Sequence, residues 1–276
     1  GVADVVLEQQ YEPAASENTV QPNMEISTGM TGTTTAWSTG YTGAGMRIAI
    51  IDTGLDTSHQ SFDNGAYEYA LEQNAARAKE SVEAYKASLD LLDADEINEK
   101  LSLLHIKEGV SAADLYRTEK VAYGYCYIDK DLDVTHETDA EGEHGSHVAG
   151  IAAANRYLPD GNGGYVSALD SVHMHGAAPD AQVLVMKVFG DEGGAYDSDY
   201  TAAIEDAIVL GADTINLSLG STSPGPSKAR TEAYQKIFDD LENASSVVTV
   251  SSGNAGYWAE NAEPIGYLYS DGVSMQ

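Results

Sequence analysis

Three short segments of this chain carry side chains suited to acid–base chemistry. Asp52 follows an apolar run and precedes Thr-Gly, His144 opens a segment of small residues, and Asn254 lies in a Ser-Ser-Gly-Asn-Ala-Gly turn. A buried carboxylate can orient a histidine ring, and the histidine can then act as a general base near neutral pH. An amide at a strand end can donate a hydrogen bond to a developing oxyanion. Together the three residues favour catalysis by proton transfer at an acyl centre.

Each residue also has a simpler interpretation when it is taken alone. Asp52 is typical of a carboxylate that caps a turn, and Asn254 is typical of a left-handed turn residue. His144 and His147 are three positions apart with no Glu between them, whereas the helix of zinc proteases has a spacing of four with a Glu inside it. A metal site at this histidine pair is therefore disfavoured.

The elements that must position these residues alternate between strands and helices. Apolar, β-branched segments predict strands, and longer segments with helical spacing predict helices. Such alternation predicts a parallel sheet with right-handed crossovers, whose carboxyl ends gather the site residues. The predicted strands are 47–51, 121–127, 182–189, 213–219 and 246–250, and the predicted helices are 144–155, 200–210, 227–241 and a pair or trio of surface helices within 67–115.

The three segments resemble the motifs of subtilisin-like serine proteases, the subtilases. Asp52-Thr-Gly, the HGSHVAG segment from His144 and Ser-Gly-Asn254 are similar to the acid, base and oxyanion motifs of that family, in its chain order. The acid and base lie 92 positions apart (144 − 52). This long spacing and the sequence of segment 127–136 resemble those of the large lactocepin-like cell-envelope proteinases. The resemblance implies a three-layer α/β subtilisin-like fold and hydrolysis of peptide bonds by an Asp-His-Ser endopeptidase.

The resemblance also extends to a substrate-binding strand. Segment 216–220 is similar to the family's strand that pairs with an extended peptide, which implies that Ser218, Leu219 and Gly220 provide backbone partners and one wall of a pocket. Ser252 and Gly253, next to Asn254, are implied as further substrate-binding residues.

The resemblance divides the chain into two parts. Residues 1–30 are expected to be an N-terminal arm, because 1–9 resembles the last strand of a subtilase propeptide. Residues 31–276 are expected to be the N-terminal part of the peptidase domain, with the helical segment 67–115 as an insert.

The nucleophilic serine is expected to come from a C-terminal segment or chain. Ser274, in Gly-Val-Ser-Met, resembles the nucleophile motif, but it lies only 20 positions after Asn254 (274 − 254), where the family has further strands. Three interpretations remain open: a nicked protease whose remainder stays bound, a truncated inactive product, and a peptide-binding module without catalysis. The set of Asp52, His144 and Asn254 favours the first over the third, because a binding module needs none of them.

Composition limits the partners and the compartment. With 14 Lys and Arg against 44 Asp and Glu, the net charge of −30 opposes binding to nucleic acid or anionic membranes. No apolar run is long enough to span a bilayer, and the single cysteine excludes an intramolecular disulfide. The family resemblance implies a secreted or bacterial cell-surface protein that needs no cofactor for catalysis. It is compatible with structural calcium, but no Asp-x-Asp-x-Asp-Gly loop identifies ligands.

Overall fold

A computed structural model describes residues 10–13, 24–136, 139, 142–220 and 228–251. The strands in these residues are β1 (Gln10–Pro13), β2 (Arg47–Asp52), β3 (Val121–Cys126), β4 (Tyr157–Pro159), β5 (Tyr165–Ser167), β6 (Gln182–Lys187), β7 (Ala195–Tyr196), β8 (Thr214–Leu217), β9 (Leu219–Gly220) and β10 (Val247–Val250). The α-helices are α1 (Met24–Met30), α2 (Thr33–Ser38), α3 (Asn64–Ala78), α4 (Val82–Ala87), α5 (Ala94–Lys100), α6 (Ala112–Leu115), α7 (His144–Ala153), α8 (Ala168–Val172), α9 (Asp197–Val209) and α10 (Lys228–Asn243).

A parallel sheet of five strands forms the centre, in the order β10-β8-β2-β6-β3. Every residue of β2, β3 and β6 is buried. Continuous burial of this kind occurs when helices cover both faces of a parallel sheet, and it explains why these strands have unbroken apolar sequences. The predicted parallel-sheet α/β fold is confirmed.

The two faces of the sheet contact separate hydrophobic clusters, which gives the fold its three layers. Ile48 and Ile50 of β2 lie in one cluster with Ala149 of α7. Ala49 and Ile51 point to the opposite face and join a cluster that includes α9. Burial of each isoleucine contributes about 1.5–3 kcal/mol, so this alternation fixes which helix lies on which face.

The segment between β2 and β3 contains α3, α4, α5 and α6, where the sequence predicts a pair or trio of surface helices. Asp63, Ser81 and Asp93 cap the first three of these helices through side-chain oxygens. Leu92, Ile97 and Leu115 are fully buried in the cluster that includes α9, so part of the segment belongs to the core rather than to the surface.

The strand predicted at 213–219 is interrupted at Ser218. β8 stays in the central sheet, whereas β9 pairs with β1 in a second sheet of the order β7-β1-β9. The sequence does not predict this sheet, because its strands have only two to four residues and show no detectable period.

Candidate active site

Asp52 and His144 form a hydrogen-bonded pair at the carboxyl edge of the sheet. The imidazole Nδ1 lies 2.7 Å from Asp52 Oδ1, which also accepts a 2.7 Å bond from the backbone N–H of Thr53. The Asp52 side chain is fully buried, and that of His144 is 14% exposed. A carboxylate that accepts the Nδ1–H leaves Nε2 as the basic nitrogen of the ring, the arrangement required of a general base.

The hydroxyl group of Thr53 fixes the start of α7 against the end of β2. It accepts a 2.8 Å bond from the N–H of Gly145 and donates a 3.1 Å bond to the carbonyl of Gly142. Gly145 must be a glycine here, because a Cβ at this position would lie 2.3 Å from the carbonyl oxygen of Gly54. The Asp-Thr-Gly and His-Gly-Ser motifs therefore interlock through their second and third residues.

A second hydroxyl group, that of Ser146, connects the same two segments. Ser146 Oγ accepts a 2.8 Å bond from the N–H of Asp56 and lies 2.6 Å from Nε2 of His136. Because the Asp56 N–H is the donor to this oxygen, the hydroxyl proton is available to donate to His136. Sequence reasoning missed Thr53 and Ser146 as site residues, although both lie inside the motifs that it singled out.

His147 does not share this site. It lies on α7, where its side chain is exposed, three residues after His144. Among the described residues no group of three or more His, Cys, Asp or Glu side chains could hold a metal ion.

Another Asp–His contact, between Asp206 of α9 and His105, has a different role. Asp206 is fully buried and accepts bonds from the His105 backbone and from the hydroxyl group of Tyr127, and its Oδ1 lies 2.8 Å from His105 Nδ1. Burial raises the pKa of Asp206. This carboxylate ties the segment after α5 to α9 and to Tyr127, the residue that follows β3, so it stabilises the fold.

The candidate substrate strand lies on the same edge of the sheet. β1 pairs antiparallel with β9 through Glu12–Gly220 and Pro13–Leu219. On its other side β1 pairs with β7 through Gln10–Tyr196 and Tyr11–Ala195. β7 and β9 thus flank β1 and bond it through the main chain, the same pairing that proteins use to recognise peptides by strand addition. Leu219 and Gly220 are in this sheet, and Ser218 directly precedes them.

Asn254, Ser252, Gly253 and Ser274 lie outside the described residues. The preceding residue, Ser251, is described: its N–H donates a 3.0 Å bond to the Leu217 carbonyl, and its hydroxyl donates a 2.9 Å bond to the Leu219 carbonyl. The segment that leads to Asn254 therefore starts beside β9.

Similarity to known proteins identifies the family of this chain. The model of the subtilase family matches residues 43–269. The chain belongs to the subtilase family. It is 28% identical over 262 residues to the PII-type proteinase of Lacticaseibacillus paracasei, covering 93% of this chain and 11% of that protein. It is 29% identical over 246 residues to the minor extracellular protease Vpr of Bacillus subtilis, covering 87% of this chain and 22% of that protein.

The predicted family is confirmed, including its similarity to lactocepin-type proteinases. A third relative, the C5a peptidase of Streptococcus pyogenes, is 28% identical over 217 residues, covering 77% of this chain and 15% of that protein. The chain thus spans about a tenth to a fifth of the length of these curated relatives. Within the described residues, no helix is both long enough and apolar enough to cross a membrane.

Proposed function

We propose that this chain supplies the acid, the base and the oxyanion donor of a serine endopeptidase. The observation that carries the proposal is the 2.7 Å contact between Asp52 and His144, in a chain of the subtilase family. His144 takes the proton of the attacking serine through Nε2 and returns it to the leaving amine. Asp52 orients the ring and stabilises the imidazolium that forms.

Asn254 is proposed to stabilise the tetrahedral intermediate together with the backbone N–H of the nucleophile. The position of Ser251, directly beside the peptide-binding strand, supports this assignment. In subtilisin, the reference case for an asparagine in this role, loss of this donor lowers kcat by about 10²–10³.

The proposed substrates are proteins or peptides bound in extended form between β7 and β9. The pairing of β1 with both strands supports this mode, because a segment of this same chain already occupies that place. Main-chain pairing requires no particular side chain. Ser218, Leu219 and Gly220 are proposed to bind substrate on one side, with Ser252 and Gly253 beside Asn254.

We further propose that the N-terminal arm is processed by the protease itself. The pairing of β1, a part of this arm, with β7 and β9 supports the proposal, because β1 occupies the place proposed for the substrate. The arm, residues 1–30, would then include the last strand of a propeptide.

The nucleophilic serine is proposed to come from a C-terminal segment or chain that packs against β10. The exposure of β10, an edge strand of the central sheet, supports this: Val247 and Val250 are 61% and 65% exposed. Apolar side chains on an open sheet edge are typical of a surface that another segment covers. A secreted or cell-surface location is proposed by analogy with the relative named an extracellular protease.

The test is hydrolysis of a fluorogenic peptide by the full-length protein that contains this chain. His144→Ala is expected to abolish turnover above background, whereas the exposed, neighbouring His147→Ala should retain it. Turnover that survives His144→Ala would contradict the proposal. Binding of the peptide by the wild-type protein without hydrolysis would instead favour the alternative, an inactive peptide-binding fragment.

A further inference from the structure

A buried lysine lies beside the catalytic pair, and the mechanism above does not use it. Lys187 ends β6, where it pairs in register with Asp52 on one side and with Cys126 on the other. Its side chain is 3% exposed. Lysine is rarely buried to this extent unless its ammonium group is paired, because desolvation of an isolated charge is costly.

The ammonium group has two partners, and they lie on different segments. It donates a 3.2 Å bond to the carbonyl of Thr53, the residue after Asp52, and it forms an ion pair with the carboxylate of Asp139. Asp139 is 5% exposed. The pair is therefore shielded from solvent. An ionic contact between buried groups is far stronger than one between groups on the surface.

Asp139 belongs to the turn that leads into α7. Its N–H donates to the carbonyl of His136, and its own carbonyl accepts from the N–H of Gly142, two residues before His144. The carbonyl of Gly142 in turn accepts the hydroxyl of Thr53. Lys187 therefore ties the segment that carries the base to the strand end that carries the acid.

We propose that Lys187 is a positioning residue of this active site, whose ion pair with Asp139 holds the turn before α7 against Thr53 and thereby sets the location and proton affinity of His144. The inference rests on the proposed function and extends it to a residue outside the three family motifs.

The charges around the Lys187–Asp139 pair determine whether the pair favours or disfavours protonation of His144. The ammonium pairs with Asp139 in the turn and acts electrostatically on Asp133, which lies between β3 and α7. Asp52 of β2 and Cys126 of β3 are the register neighbours of Lys187. The pKa of Asp133 is lowered, mainly by hydrogen bonds from Thr135 and to a smaller degree by Lys187. A cation here disfavours a protonated His144, and the Asp139 carboxylate opposes that effect.

The experiment measures protonation of His144 directly in the full-length protein. Diethyl pyrocarbonate acylates the neutral imidazole of histidine and not the imidazolium, and mass spectrometry of the His144 peptide gives the rate of this modification at each pH. Lys187→Met is expected to move the midpoint of this profile upward by about one pH unit, because it leaves the Asp139 carboxylate without its counter-ion. Asp139→Asn, which keeps the shape and an acceptor oxygen, is expected to move it downward.

The acidic limb of the pH profile of kcat/KM should also shift upward in Lys187→Met and downward in Asp139→Asn. The loss of activity in these variants should lower kcat and leave KM unchanged. The matched control is Lys120→Met, because Lys120 is also fully buried and donates to the carbonyls of Pro179 and Ala181. Lys120 precedes β3, so it lies at the opposite end of the sheet from Asp52. Lys120→Met should lower stability without moving the His144 profile.

A purely structural role predicts a different result. If Asp139→Asn and Lys187→Met lower the melting temperature as Lys120→Met does and leave the His144 profile unmoved, the inference is wrong. If Lys187→Met does not fold, the downward shift in Asp139→Asn still decides the question. A protein that hydrolyses no peptide but shows both shifts would refute the proposed function and support the role of Lys187.

Discussion

Replacement of Thr53 by valine tests whether the interlock between β2 and α7 supports the catalytic pair. Thr53 is fully buried, and its hydroxyl group makes two hydrogen bonds, to Gly145 N–H and Gly142 carbonyl. Valine has nearly the same shape but cannot make either bond. Since each of the two groups left without its partner costs about 1–3 kcal/mol, Thr53→Val should destabilise the protease by about 2–6 kcal/mol.

The expected consequences are measurable in stability and in activity. For a domain of this size about 1 kcal/mol corresponds to about 2–4 °C, so the melting temperature should fall by about 4–24 °C. Below that temperature, kcat/KM should fall about 10–100-fold, because a displacement of about 1 Å at a reacting group can cost about 10²-fold.

A matched control is Thr201→Val on α9, whose hydroxyl donates to the Asp197 carbonyl within its own helix. The control should change stability slightly and leave kcat/KM unchanged. If Thr53→Val behaves like Thr201→Val in both assays, the reasoning about the interlock is refuted.

Three further predictions follow from individual residues. Asp52→Asn should lower kcat about 10⁴-fold without unfolding the protein, because the amide favours the wrong imidazole tautomer; comparable kcat values would contradict this. Gly145→Ala should destabilise the domain in thermal melts, because its Cβ would lie 2.3 Å from Gly54 O; an unchanged melting temperature would show that this backbone shifts freely. Burial lowers the pKa of Lys120 to about 7, so the unfolded state binds the proton between pH 7 and about 10 and stability should rise across that window. Urea titrations should show this rise and its absence in Lys120→Met, and an equal slope in both proteins would contradict the assigned pKa.

Much of the site was predictable because its chemistry requires particular residues at the ends of particular strands. The apolar run before Asp52 predicts a strand buried on both faces, and parallel strands bring their carboxyl ends to one edge. The small residues after His144 predict a helix that packs closely on that strand. The structure brings Asp52 and His144 together as these patterns require.

Other parts depend on contacts that no local pattern reveals. The bonds of the Thr53 hydroxyl group to Gly142 and Gly145 join residues about 90 positions apart, and a threonine after an aspartate predicts nothing of the kind. The sequence places Lys187 near the end of an apolar strand, and nothing in that pattern predicts its ion pair with Asp139. The sheet of β7, β1 and β9 likewise arises from main-chain pairing between very short segments, which side-chain periodicity does not encode.

The rate of labelling with a fluorophosphonate decides whether Asp52 and His144 activate a serine. The reagent reacts with an activated serine and requires no knowledge of the preferred substrate. In the full-length protein, we expect that one serine is labelled and that Asp52→Asn and His144→Ala each slow the labelling by at least about 10³-fold. Equal labelling rates in the wild-type protein and both variants would contradict it.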